Sequence, residues 1–236
     1  MSRPRSRRPN PASKPKPETG NRKPEQTGTD AGRTLVVGVS GASGAAYAVR
    51  LVELAVRAGH EVILIVTRAG RLVLNAELLF EPAAEAVGNV VPALQALWPT
   101  EVSRHVTYVP AEQIDAPPAS GSFGAAATVI IPCSMNTLSA LAHGRAENLL
   151  QRAGHVALKE GRPLLVVPRE MPVTRIDLEN MLRLARAGAI VMPAMPGFYH
   201  RPKSVADLVD FVVAKVLARL GIEHDLDIRW PPKRGD

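Results

Sequence analysis

The chain has few residues of the kinds that build disulfides, thiolate metal sites or stacking surfaces. Its one cysteine, Cys133, excludes an internal disulfide and a metal site made of several thiolates. Such cysteine usage is typical of the reducing cytoplasm, where we expect the protein to work. Aromatic residues make up only 4% of the sequence, so a stacking platform for single-stranded nucleic acid is not expected.

Long apolar runs are also missing. No stretch reaches the roughly 18 consecutive apolar residues of a membrane-spanning helix, so none is predicted. The N-terminus has no apolar segment of signal-peptide length, so a secretory signal is not predicted either. The six histidines show no metal-ligand spacing such as H-x-x-x-H, and we therefore predict no metal site.

The positive charge of the chain is concentrated in residues 1–33. This segment has nine Lys/Arg against three Asp/Glu, a net charge of +6, whereas all later residues together carry only +1. It also has six prolines and no Ile, Leu, Val or aromatic residue. Such a composition predicts a disordered tail. The tail is either a solvated extension or an electrostatic tether to RNA or a membrane.

Beyond the tail, strand patterns alternate with helical patterns. Strands are predicted over residues 34–40, 61–66, 105–109, 128–132, 163–168 and 189–193. Helices are predicted over residues 45–58, 68–79, 84–97, 134–143, 148–160 and 174–187, with a last helix that begins at Ser204. The alternation predicts one α/β domain over residues 34–230, with a parallel sheet covered by helices on both faces.

A glycine-rich loop, GVSGASG (38–44), joins the first strand to the first helix. Its backbone N–H groups can approach an anion at the helix N-terminus, and Ser43 adds a hydroxyl. The spacing is not G-x-G-x-x-G, and Thr67 and Arg68 stand where an NAD site needs an acid. The loop therefore predicts a phosphate site. An NADP reductase, or tight strand–helix packing without a ligand, remains an alternative.

Polar residues also follow the later strands. Cys133 is expected to be a buried small residue, while Ser134–Thr137 can bond the polar edge of a ring or cap the next helix. Arg169 and Glu170 follow the strand at 163–168, and side chains there lie over the ligand crevice of a parallel sheet.

Several further charged or polar side chains are candidates for binding or catalysis. Arg152 and Lys159 lie seven residues apart beside an apolar helical stripe, which indicates either an anion site or a solvated edge. Glu77 lies at the edge of another stripe, where a partly buried carboxylate can transfer protons. Tyr199 can donate a hydrogen bond, and Lys215 flanks the apolar stripe of the last helix, where a solvated lysine is the default.

Five ordered segments together carry a resemblance to a known family. Over residues 34–230 the chain resembles the UbiX-type flavin prenyltransferases through VSGASGAAYAVRL, IIPCSMNTLSALAHG, NLLQRAGHVALKEGRPLLVVPRE, LENMLRLARAGAIVMPAMPGFYHRP and SVADLVDFVVAKVLARLGI. The pair VPRE and PGFYH is more specific than the glycine loop. The resemblance implies a Rossmann-like three-layer flavoprotein with a parallel central sheet, assembled as a homododecamer from trimers.

The resemblance also implies a reaction. A dimethylallyl group passes from dimethylallyl monophosphate to N5 and C6 of reduced FMN without a metal. Loss of phosphate gives an allylic cation-like species that N5 captures, and a second bond at C6 closes a new ring. The product, prenylated FMN, serves UbiD-type decarboxylases, and ubiquinone synthesis is the usual bacterial destination.

Site residues follow from the same resemblance. The implied FMN contacts are Gly41, Ala42, Ser43, Thr67, Ser134, Met135, Asn136, Thr137 and Arg169. The implied prenyl phosphate contacts are Arg152, Lys159, Glu170, Tyr199 and Lys215. Ser43, Glu77, Lys159 and Glu170 would be catalytic, with Glu77 transferring protons, and Trp230 would lie near a subunit contact. Many members have serine at the Thr67 position. At position 215 the family often has arginine, and lysine keeps the charge without the bidentate fork.

Three other functions are weighed against prenyl transfer. An FMN-dependent decarboxylase of peptidyl or pantothenoyl cysteine would carry an Asn-rich PASANT-type segment, where this chain has PPASGSFG (117–124). The NADP reductase is the second. A non-catalytic flavin-binding or RNA-binding module that uses the basic tail is the third.

Overall fold

A parallel six-stranded sheet forms the centre of the protein. The computed structural model describes residues 33–79 and 96–228. The strands are β1 (Thr34–Val39), β2 (Glu61–Val66), β3 (Val106–Pro110), β4 (Ala127–Cys133), β5 (Leu164–Pro168) and β6 (Ile190–Val191). They lie in the order β3-β2-β1-β4-β5-β6, and all neighbouring pairs are parallel. The predicted parallel α/β fold is thus confirmed.

Helices connect the strands and cover the sheet. They are α1 (Ala45–Arg57), α2 (Arg68–Leu74) with a π-helical segment (Asn75–Leu79), α3 (Thr100–Ser103), α4 (Met135–Ala142), α5 (Leu149–Lys159), α6 (Arg175–Arg186) and α7 (Val205–Leu220). A capping box of Thr174 and Asp177 begins α6, and Ser204 with Asp207 forms another at α7. Among the described residues no helix is long and apolar enough to cross a membrane.

Alternating side chains of the strands divide the core into two parts. Leu35 and Val37 of β1 pack on one face, together with α1 and α7. Val36 points to the other face, where it packs with residues of α4, α5 and α6. The domain therefore has three layers, helices–sheet–helices, as the resemblance implied.

Two predicted elements differ from the structure. Predicted helix 68–79 changes to π-helical geometry at Asn75, and predicted helix 84–97 falls almost wholly outside the described residues. Strand β6 is regular for only two residues, Ile190–Val191. Met192 and Ala194 still donate to carbonyl groups of β5, at 2.8 and 2.9 Å. The tail before Arg33 and the position of Trp230 also lie outside the described residues.

The strand order positions the candidate site. From β1 the chain adds β2 and β3 on one side, whereas β4, β5 and β6 lie on the other. In open parallel sheets, ligands bind at this change of direction, outside the carboxyl ends of the strands. The loops after β1, β4 and β5 all meet at this crevice.

Candidate functional site

The loop after β1 needs its glycines for close packing. A Cβ atom on Gly41 would lie 2.6 Å from the Cβ of Ala69 in α2. Gly44 has a φ of 116°, and a Cβ there would lie 2.8 Å from the Tyr47 ring. Between these glycines, the hydroxyl of Ser43 makes no hydrogen bond within the described part of the chain. The loop thus brings an available donor to the crevice.

The carboxylate of Glu77 lies on the N-terminus of helix α1. It accepts hydrogen bonds from the backbone N–H of Gly44, at 3.0 and 3.1 Å, and from that of Ala45, at 2.8 Å. Gly44 has no side chain to cap the helix, so Glu77 takes that role. Two donors on which a phosphate cradle would depend are therefore already bonded to a carboxylate. Phosphate binding by the loop stays a prediction.

Ser40, which the sequence analysis did not single out, joins the loops after β1 and β4. Its buried hydroxyl donates to the Pro132 carbonyl at 3.0 Å and accepts from the Ser134 N–H at 2.7 Å. Ser134 in turn caps α4 by accepting from the N–H of Thr137 at 3.3 Å. The N–H groups of Met135 and Asn136 make no hydrogen bond within the described residues. The start of α4 therefore offers free donors beside the crevice.

Thr67 fixes α2 against the same loop. Its hydroxyl accepts from the Gly70 N–H at 3.0 Å, and its backbone N–H donates to the Val39 carbonyl at 3.0 Å. A Cβ on Gly70 would lie 2.5 Å from the Val39 oxygen, so only glycine allows this approach. The hydroxyl proton of Thr67 stays available to a ligand.

Arg169 connects the end of β5 to the loop after β1. Its Nε donates to the Ser43 carbonyl at 3.1 Å, and its backbone N–H donates to the Cys133 carbonyl at 3.3 Å. The terminal amino groups of its guanidinium make no hydrogen bond within the described residues. The next residue, Glu170, is exposed and accepts only from the N–H of Met171, at 3.1 Å. The positively charged guanidinium of Arg169 thus has N–H groups available to a ligand in the crevice.

Tyr199 and Lys215 come together around the ring of Phe211. The centroids of the Tyr199 and Phe211 rings are 5.5 Å apart, and the Lys215 Nζ lies 5.6 Å from the Phe211 centroid. The Tyr199 hydroxyl donates to the Ile228 carbonyl at 3.1 Å. The His200 ring stacks on Phe211, and both its nitrogens are buried without a partner among the described residues. Phe211 and Lys215 are one helical turn apart in the sequence, and this spacing indicates that their side chains lie close together.

Lys159 does not join the other candidates within one chain. Helix α5 begins beside Ala111, just after β3 ends, at the carboxyl ends of the strands. It finishes at their amino ends, before β5 begins. Arg152 Nε donates to the Ala119 carbonyl at 3.1 Å, and Lys159 forms an ion pair with Glu160 at 2.9 Å. Both cations therefore flank the 117–123 segment. Lys159 lies at the amino ends of the strands, away from Ser43.

The single cysteine is buried, and the described residues contain no metal-binding cluster. Cys133 is fully buried, and burial raises the pKa of its thiol to about 12. This confirms the expectation of a buried small residue, because a neutral thiol is a poor nucleophile. Across residues 33–79 and 96–228, no group of three or more His, Cys, Asp or Glu side chains is placed to hold a metal ion.

Comparisons with known proteins identify the family. A family model described as Flavoprotein matches residues 23–217. A flavin prenyltransferase UbiX from Halalkalibacterium halodurans is 48% identical over 198 residues, covering 84% of this chain and 93% of that protein. This chain belongs to the Flavoprotein family, among its UbiX flavin prenyltransferases.

Two solved structures of family members support the assignment. AnUbiX (PadA1), in complex with FMN and dimethylallyl pyrophosphate, is 31% identical with a TM-score of 0.75, covering 86% of this chain and 99% of that one. A dodecameric FMN-dependent UbiX-like decarboxylase from Escherichia coli O157:H7 is 37% identical with a TM-score of 0.71, covering 84% and 98%. The resemblance stated from the sequence motifs is therefore confirmed.

Proposed function

We propose that the protein joins a dimethylallyl group from dimethylallyl monophosphate to N5 and C6 of reduced FMN. The observation that carries this proposal is the convergence of Ser43, Glu77 and Arg169 around Gly44 at the switch point of the sheet. Prenyl transfer is favoured over cysteine decarboxylation because the relative at 48% identity is a flavin prenyltransferase.

The crevice fits FMN as a substrate. A flavin needs donors for a phosphate and for the carbonyl oxygens of its ring, and the crevice has several that lack partners. The N–H groups of Met135 and Asn136 at the start of α4 suit the phosphate, since Glu77 already holds those of Gly44 and Ala45. Further contacts are assigned to Gly41, Ala42, Ser43, Thr67, Ser134, Thr137 and Arg169.

The prenyl phosphate is assigned to the cluster formed by Tyr199, Phe211 and Lys215, together with Glu170 of the loop after β5. As the C–O bond of dimethylallyl monophosphate breaks, its electron pair leaves with the phosphate, and cations and a phenol stabilise that charge. Bond formation at N5 and at C6 each displaces a proton, and one proton is added to the prenyl double bond, which makes its tertiary carbon the electrophile that C6 attacks. The Glu77 carboxylate beside Ser43 is the group assigned to accept a proton.

Lys159 of α5 needs a second copy of the chain to reach the crevice. Within one chain, Lys159 lies at the amino ends of the strands, whereas Ser43 lies at their carboxyl ends. Lys159 can therefore reach a prenyl phosphate only from a neighbouring subunit. The Escherichia coli relative is a dodecamer, which supports such an assembly. We therefore assign Arg152 and Lys159 to the site of an adjacent subunit in a homo-oligomer.

The product, prenylated FMN, would pass to a UbiD-type decarboxylase, with ubiquinone synthesis as the usual bacterial destination. A cytoplasmic location, domain limits at 34 and 230, and the role of the 1–33 tail stay predictions. RNA binding by the tail is tested by deleting residues 1–33. Retained chemistry with lost RNA binding would make the tail an accessory.

Phosphate release tests the proposal. Without oxygen, the enzyme should liberate inorganic phosphate from dimethylallyl monophosphate only when reduced FMN is present. Oxidised FMN is the matched control, because it lacks a nucleophilic N5. Dimethylallyl pyrophosphate in a parallel reaction shows which donor is preferred. Equal phosphate release with and without reduced FMN would contradict prenyl transfer to the flavin.

A further inference from the structure

Tyr47 lies at the centre of the candidate site without a role in the assignments above. It is in the first turn of α1, and its ring is the nearest neighbour of a Cβ built on Gly44, at 2.8 Å. One side of the ring packs against the core cluster of α1 and β1. Gly44 also donates to Glu77, and the residue before it, Ser43, accepts from Arg169. Tyr47 thus stands among three residues assigned to the reaction.

The hydroxyl of Tyr47 has no hydrogen-bond partner within the described part of the chain. The Tyr47 side chain is only half-buried, so its O–H is open to solvent and can exchange water for a substrate oxygen. The terminal amino groups of Arg169 also lack partners within the described residues, and its charge acts on the Tyr47 phenol. The phenol and the guanidinium can therefore donate to one shared acceptor.

The protonation of Tyr47 suits a donor. Burial raises the pKa of its phenol, and the nearby Arg169 charge only partly opposes this. At neutral pH the hydroxyl therefore keeps its proton.

We propose that Tyr47 is a further substrate-binding residue, whose hydroxyl donates a hydrogen bond to a substrate oxygen that Arg169 holds at the same time. That oxygen is an acceptor with full or partial negative charge. Two substrates carry such oxygens: FMN at the carbonyl edge of its ring, and dimethylallyl monophosphate at its phosphate. The inference rests on the proposed flavin prenylation, since that reaction supplies both substrates.

The test uses Tyr47→Phe, which removes the hydroxyl and keeps the ring. Tyr108→Phe, on the edge strand β3, is the matched control. The Kd of FMN and the KM of dimethylallyl monophosphate are measured for each full-length variant. We expect one of the two constants to rise about five- to tenfold in Tyr47→Phe, with the other within about twofold of wild type. A raised Kd identifies the flavin as the source of the oxygen, and a raised KM identifies the phosphate.

A double-mutant cycle with Arg169→Gln tests the shared acceptor. If both side chains hold one oxygen, the combined loss should be smaller than the product of the single losses. Wild-type values of both constants in Tyr47→Phe would overturn the inference while leaving the prenylation proposal intact. A matching fall of FMN binding, donor binding and melting temperature would also overturn it, since that pattern reports distortion of α1. If wild-type enzyme forms no product, the proposed function itself fails.

Discussion

The carboxylate of Glu77 accepts two hydrogen bonds from the backbone N–H of Gly44, at 3.0 and 3.1 Å. The two residues are 33 positions apart in the sequence, and the π-helical segment Asn75–Leu79 presents Glu77 to the loop. Such π-helical insertions are frequent at functional sites, because they turn one side chain out of regular register. Glu77 is therefore both the cap of α1 and a carboxylate held against the loop after β1.

These two roles of Glu77 can be separated by substitution. Glu77→Gln keeps an oxygen that accepts from the Gly44 N–H, so the melting temperature and FMN binding should stay near wild type. Turnover should fall by roughly a hundredfold or more, because the amide cannot accept a proton. Steady-state rates and FMN titrations check this, with the exposed Glu101→Gln as control. A wild-type rate in Glu77→Gln would remove the residue from the mechanism.

Loss of the Ser40 hydroxyl should loosen the loops after β1 and β4, which we assign to flavin binding. Ser40→Ala leaves the Ser134 N–H and the Pro132 carbonyl without their partner. We expect a loss of about 1–3 kcal/mol in unfolding free energy. FMN should also bind several-fold more weakly, because the start of α4 is no longer held. Urea unfolding and FMN titration measure both effects, and Ser103→Ala, whose hydroxyl bond is exposed, is the control. Unchanged FMN affinity would show that the bridge is structural only.

Local patterns were sufficient to predict much of the fold. The strands predicted over residues 34–40 and 163–168 and the helix starts predicted at Thr174 and Ser204 depend on neighbours in sequence, and the structure has all of them. The Ser40–Ser134 bridge depends on two strands 94 residues apart being adjacent, which no local pattern shows. The π-helical turn at Asn75 likewise follows from packing of α2 against α1 and β1.

The candidate site also has features that the sequence predicts and features that it does not predict. The ends of β1, β4 and β5 were predictable, and so was the meeting of Ser43 and Arg169 in one crevice. The separation of Lys159 from that crevice was not predictable. Helical periodicity shows on which face of a helix a residue lies, but it does not show beside which end of the strands that residue lies. The direction of α5 relative to the strands decides that position.

Mixed oligomers test whether Lys159 acts from a neighbouring subunit. Glu77→Gln and Lys159→Met should each be inactive alone. After joint unfolding and refolding, sites that combine an intact Glu77 from one chain with an intact Lys159 from another should work. Random mixing of equal amounts should restore roughly a quarter of wild-type activity. Each variant refolded alone is the control. No recovery in mixed oligomers that bind FMN would contradict the assignment.

The buried thiol of Cys133 should produce a specific alkaline instability. The folded pKa of about 12 lies above the reference value of 9.0. Between these values the unfolded chain loses a thiol proton that the folded chain keeps. The contribution to stability is therefore complete below the unfolded pKa and is lost as the pH rises toward the folded one.

Cys133→Ala lacks this linkage. The stability difference between wild type and Cys133→Ala should shrink by up to about 1.4 kcal/mol per pH unit above roughly pH 9. Urea unfolding of both proteins over this range checks the effect, because all other titrating groups are common to the pair. A difference that stays constant with pH would show that the thiol is not buried.

The mass of the flavin tests the central claim most directly. Enzyme, reduced FMN and dimethylallyl monophosphate are incubated without oxygen, and the released flavin is analysed by mass spectrometry. Prenyl transfer predicts FMN enlarged by one prenyl unit in the wild-type reaction and little or none with Glu77→Gln. Recovery of only unmodified FMN from folded, flavin-bound wild-type protein would contradict the account.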